Sequence, residues 1–109
     1  MAKTPGFRIE KDTLGGMLVP AKAYYGIQTV RASENFRISG IRPKPEFVKA
    51  TAMIKLSAAM VNSRLGLLDK KRASAIEKAA KEVLEGRLAN GIKVDVYQAG
   101  AGTSHNMNA

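Results

Sequence analysis

Residues 47–86, FVKATAMIKLSAAMVNSRLGLLDKKRASAIEKAAKEVLEG, decide the fold class. Phe47, Thr51, Ile54, Ala58, Val61 and Leu65 recur at alternating steps of four and three, which sets them on one stripe of a helix, with Lys49, Lys55, Asn62 and Arg64 largely off it. Gly66 supplies the residue type that commonly closes a helix in the left-handed conformation. Asp69 is a good N-cap for a second helix, which carries Ile76, Ala80 and Val83 on one side, gains an i,i+4 pair from Glu77 and Lys81, and stops at Gly86. A turn of three or four residues between them makes an antiparallel pair the simplest packing, each stripe covering the other. The expected fold class is therefore mainly α.

Upstream, the pattern changes. Residues 1–6 carry Pro and Gly and nothing to pack, and are expected to form a loose tail, with one domain running from residue 7 to residue 109. Phe7 and Ile9 alternate with Arg8 and Glu10, DTLGG supplies turn chemistry, and Met17-Leu18-Val19 form a second short apolar run closed by Pro20, so a small β-hairpin is expected. Ile27, Val30, Arg31 and Glu34 share helical spacing and predict a short helix over residues 27–36, with Gly26 weakening its start. SGIRPKP (39–45) is a connector, because Gly40, Pro43 and Pro45 do not sit inside a continuous helix.

The chain of 109 residues has no cysteine, so it holds neither disulfides nor a thiolate metal site, and a reducing, cytoplasmic setting is the natural default. No run approaches the roughly 18 apolar residues of a membrane helix. Eighteen Lys and Arg against nine Asp and Glu give a net charge of +9, a field that attracts nucleic acid, anionic surfaces and small dianions alike. A basic helical interaction module is thus one reading. Against specific nucleic-acid binding, the basic residues are spread over separate elements, no helix-turn-helix pattern is present, and the six aromatics are not interleaved with basic residues. The single histidine, His105, has no neighbouring ligand set for a metal, and Ser104 beside it is no nucleophile system, since adjacent side chains do not generally point together.

What remains is QAGAGTSHNMNA, residues 98–109. Glycines let a backbone approach a ligand closely, a Thr hydroxyl can donate to a carboxylate, and amides at a helix start favour an anion. An ordinary capped helix start, with Thr103 or Ser104 as cap, has the same composition.

Taken together, RIEKDTLG (8–15), VPAKAYYGIQTVRASENFRISG (19–40), NSRLGLLDKKRASAIEKAAKEVLEG (62–86) and QAGAGTSHNMNA (98–109) resemble the start of the class II fumarase and aspartase superfamily, in unbroken order. The resemblance implies a mostly helical N-terminal domain of a homotetrameric lyase, cut within its substrate-binding loop, with the central helical bundle and C-terminal domain absent. It implies reversible elimination across a Cα–Cβ bond of a small dicarboxylate, with no organic cofactor, some aspartases responding to divalent cations at a site this chain does not carry. Charge builds on the carboxylate next to the carbon that loses its proton, and stabilising that charge is the hard part. Carried over by position, Thr103 binds a substrate carboxylate through its hydroxyl, while Gly102 and Ala101 contact substrate through the turn. Ser104 and Asn106 support the loop or cap the helix; Arg31 serves anion attraction or, alternatively, a salt bridge with Glu34 or Asp12. His105 falls where the family varies and is expected at a surface or interface. No catalytic acid or base lies in this chain on that comparison, and the chain alone is expected to be inactive. YQAGAGT (97–103) and AYYGIQT (23–29) lean toward the aspartase branch, fumarases of this class usually reading WQTGSGT, with class II fumarase the alternative.

Overall fold

The computed structural model describes residues 5–109. They form two compact units. One takes the chain up to Pro43 and returns with Gly91–Asn108; the other holds Lys44–Asn90. The expected tail lies outside the described residues for its first four positions; Pro5 and Gly6 form a turn, and the Gly6 carbonyl accepts the Ala21 N–H at 2.9 Å.

In the first unit the alternation of residues 7–12 and the turn chemistry of DTLGG produce the expected hairpin. Strand β1 (Phe7–Asp12) pairs antiparallel with β2 (Gly15–Pro20), in a register running from Phe7 opposite Pro20 to Asp12 opposite Gly15. Asp12 closes the two-residue turn by accepting the Leu14 N–H at 2.9 Å, which is the local bond that makes Asp a turn residue. Helix α1 (Ile27–Asn35) follows, and Val19, Ile27 and Ala32 are buried beside the hairpin.

Polar side chains fix the hairpin to α1. Arg8 donates from Nη1 to the carbonyls of Pro20, Ala21 and Ala23, from Nη2 to that of Tyr25, and from Nε to Glu10 at 2.7 Å. Glu10, so oriented, accepts the Ile27 N–H at 2.9 Å, a helix cap supplied by a strand. The Arg8 and Ile27 donors hold the Glu10 carboxyl below the usual range. Gly26, expected only to weaken the helix, has a specific role: a Cβ there would meet Glu10 Oε1 at 2.8 Å. Gly26→Ala is therefore expected to displace the capping carboxylate and lower the thermal midpoint by about 4–8 °C, the size of one lost cap in a chain this small, measured by circular dichroism.

The second unit contains α2 (Pro45–Arg64) and α3 (Lys70–Leu84), packed along each other through residues 65–69, one residue longer than the longest turn expected. Pro45 opens α2 at a position where its missing N–H costs nothing. Asp69 caps α3 as expected, accepting the Arg72 N–H at 2.9 Å. Both helices end in the expected glycines: Gly66 donates to Ser63 and Leu67 to Asn62, while Gly86 donates to Val83 and Arg87 to Glu82. The expected Glu77–Lys81 pair does not close to ion-pair distance; Arg72–Asp69 does, at 3.3 Å.

The stripe expected to face α3 does not do so. Phe47, Ile54, Val61 and Leu65 are 53–70% exposed, and the packed face carries Ala52 and Ala59, with Ala73 and Ala80 opposite on α3. Ile76, assigned to the packed side of α3, sits at its rim, 39% exposed. Apolar residues fall on more than one face of α2, so periodicity located the helix without choosing its buried side. The side with alanines won because small side chains at the contact let two helix axes approach closely. Ala59→Leu is expected to destabilise by about 1–3 kcal/mol through overpacking, and Ile54→Ala by no more than about 0.5 kcal/mol, in urea unfolding of the two variants.

Candidate functional site

The site begins where the chain re-enters the first unit. Ile92 and Val94 are buried, and the backbone between them is held by Asn108, whose Oδ1 accepts the N–H groups of Lys93 (2.8 Å) and Val94 (3.3 Å) while its Nδ2 donates to the Gly91 carbonyl (2.6 Å). Asn108 ends helix α4 (Thr103–Asn108), so one amide side chain pins both ends of the segment that carries the loop.

Asp95 is the second anchor. It is 7% exposed, and its two oxygens take four hydrogen bonds: from the N–H groups of Ser39 (2.7 Å), Gly40 (2.8 Å) and Tyr97 (2.8 Å), and from the Ser39 hydroxyl (2.9 Å). Desolvation by burial pushes its pKa up, but the donors from Tyr97, Ser39 and Gly40 outweigh it and hold the carboxyl far below the usual range. The charge is thus solvated by backbone dipoles, and it fastens residues 39–40 to the start of the loop.

Gln98 transmits that anchoring into the loop. Its Nε2 donates to the Asp95 carbonyl and its Oε1 accepts the His105 N–H, both at 2.8 Å, so Gln98 caps α4 in place of Thr103 or Ser104. Gly102, with φ of +76°, donates to Ala99 at 3.0 Å and accepts from Asn106 at 3.1 Å, a closed turn that a residue with a side chain adopts only under strain.

This framework brings Ala101, Gly102 and Thr103 together at the exposed end of the loop. Thr103 is the first residue of α4 and is exposed, and its hydroxyl makes no hydrogen bond among the described residues. Asn106 lies on the exposed side of the same helix. Ser104 is buried, 8% exposed, and belongs to the face of α4 that packs on α1. His105 corrects the surface expectation: it is 7% exposed on that same face, because Ser104, His105 and Asn108 fall one helical turn apart or adjacent. Arg31 is engaged elsewhere. It forks onto Asp12 at 2.6 and 2.8 Å and onto the Gly15 carbonyl at 3.1 Å, the local salt-bridge alternative, and the pairing lowers the Asp12 pKa and raises that of Arg31. Among the described residues no three His, Cys, Asp or Glu side chains gather as a metal-binding set.

Asp95, Gln98 and Asn108 are the residues that sequence reading missed. The one local signal is Asp95 between Val94 and Val96, a charge inside an apolar run, which burial makes costly unless it is fully hydrogen-bonded.

The model of a family described as Lyase matches residues 15–109. An aspartate ammonia-lyase from Bacillus sp is 54% identical over 102 residues, covering 94% of this chain and 22% of its own length. A class II fumarate hydratase from Halobacterium salinarum is 53% identical over 103 residues, with the same coverage. Among solved structures, a fumarate lyase:delta crystallin from Brucella melitensis superposes with a TM-score of 0.90 at 45% identity, covering 94% of this chain and 23% of that one. The chain thus spans less than a quarter of the length of these relatives. With the family matched over residues 15–109 and its mostly helical fold shared at 45% identity, the chain belongs to the lyase family, the superfamily of class II fumarases and aspartases.

Proposed function

We propose that this chain supplies the carboxylate-binding loop of an aspartate ammonia-lyase, which deaminates L-aspartate reversibly to fumarate and ammonia. The observation that carries the reading is the exposed Ala101-Gly102-Thr103 turn, held by Asp95, Gln98 and Asn108, with the Thr103 side chain in no hydrogen bond among the described residues. A hydroxyl so placed donates to one carboxylate of the substrate, the turn amides approach the same group, and Asn106 flanks it. Ser104 supports the turn from inside. The remaining groups, including the catalytic base, come from the rest of a cytoplasmic homotetramer. Tyr97 and Ala101, in YQAGAGT, favour the aspartase branch.

The class II fumarase reading draws on relatives of that name at nearly the same identity. Assay of the full-length parent separates the two. Ammonia and fumarate released from L-aspartate are the expected result; hydration of fumarate without ammonia release from aspartate would replace the aspartase reading, and neither reaction would remove both. The 109-residue chain alone is expected to turn over neither substrate.

A further inference from the structure

We propose that a basic cleft in the first unit, apart from the Thr103 loop, binds a phosphate monoester. The cleft has a volume of about 420 Å³ and is lined by Ser33, Phe36, Arg37, Arg42, Lys93 and Asp95 together with neighbouring backbone. Three cations face one carboxylate. Both oxygens of Asp95 are already filled by the four donors from residues 39, 40 and 97, so it neutralises none of those cations by pairing. Arg8, Arg31, Arg72 and Arg87 each reach a carboxylate, whereas Arg37 and Arg42 have no ion-pair or hydrogen-bond partner among the described residues. Lys93 makes no ion pair among the described residues: its Nζ lies 3.5 Å from the Tyr25 hydroxyl and 4.9 Å from the centre of that ring.

The charges select the class of ligand. Three cations less Asp95 leave two positive charges, which a dianion balances. Guanidinium forks match the several oxygens carried on one phosphorus, and an ammonium donates to another. Phe36, Ile38 and Ile41 provide an apolar wall, and the volume exceeds that of a bare phosphate, so the ester carries a small apolar or aromatic body. None of Ala101, Gly102 and Thr103 lines the cleft, and the inference is independent of the lyase reading.

The test is a titration of the full ¹⁵N-labelled chain at constant ionic strength with phenyl phosphate, inorganic phosphate and succinate, read at the Gly40 and Ile41 amides. Saturable shifts are expected for both phosphates, tighter for phenyl phosphate, and weaker for succinate, whose two charges sit on separate carboxylates. Arg37→Gln with Arg42→Gln is expected to weaken phenyl phosphate at least about tenfold, while Lys22→Gln, exposed and outside the cleft, changes it less than about twofold. Unchanged Tyr97 and Asp95 resonances show that the variants keep the fold; Arg42→Gln alone, expected to weaken binding by about threefold, is read in the same way. No saturation by about 20 mM, equal loss in Lys22→Gln, or succinate binding as tightly as phenyl phosphate would each overturn the assignment.

Discussion

Asp95→Ala is expected to lower the thermal midpoint more than any other single side-chain truncation in this chain, by roughly 10 °C or more. The truncation strands the N–H groups of Ser39, Gly40 and Tyr97 and the Ser39 hydroxyl at once, around a carboxylate that is itself buried. Each unsatisfied buried donor carries its own desolvation cost, which is why losing the acceptor is worse than losing an ordinary hydrogen bond. Asp95→Asn should fall between, since one amide oxygen can serve two donors while its NH₂ meets the others head-on. The same carboxylate sets an acid limit. Its pKa in the folded state lies far below the usual value, so the unfolded chain takes up its proton first as pH falls. The stability that Asp95 contributes is therefore complete above about pH 4 and is lost progressively below it. Glu10 and Asp12, also lowered, act in the same direction. Thermal melts between pH 7 and pH 2 should show the midpoint falling in the acid range, with a shallower fall in Asp95→Asn; a profile that is flat and identical in both proteins would show that Asp95 carries no such linkage.

In the full-length parent, Thr103→Val is expected to reduce kcat/KM by about 10- to 150-fold, the equivalent of one hydrogen bond to a charged carboxylate at about 1.5–3 kcal/mol. The exchange removes a hydroxyl and keeps the shape. Because Thr103 is exposed and its side chain makes no hydrogen bond among the described residues, the folded state should lose no more than about 0.5 kcal/mol. A catalytic loss without a stability loss is what distinguishes a substrate contact from a capping residue. Thr103→Ser, which retains the hydroxyl, should keep most of the activity. Wild-type kinetics in Thr103→Val would take Thr103 out of the site.

The elements themselves were legible because their signals are local. The alternation Phe7-Arg8-Ile9-Glu10 with DTLGG made the hairpin, Asp69 and Gly86 bounded α3, and Gly66 ended α2, each through bonds within a few residues. The loop at 100–103 was legible for the same reason, Gly102 taking the positive φ that a closed turn requires. The resemblance to a lyase superfamily rested on residues strung along the whole chain, and the family match covers all but its first 14.

Tertiary structure decided what depends on partners far apart in sequence. The buried side of α2 was one: two apolar faces compete on that helix, and only the close approach permitted by Ala52 and Ala59 opposite Ala73 and Ala80 chose between them. The start of α1 was another, since its cap is Glu10, 17 positions away and set by Arg8. His105 turned inward because α4 packs on α1, and no pattern within six residues can announce that packing. Asp95 reaches back 56 positions to Ser39. Composition and periodicity specify which segments become helix or strand, because those preferences are settled within a turn or a pair of residues. Which face is buried, and which polar group satisfies which donor, is settled by the free energy of bringing distant segments into contact, and that exists only once the chain has folded.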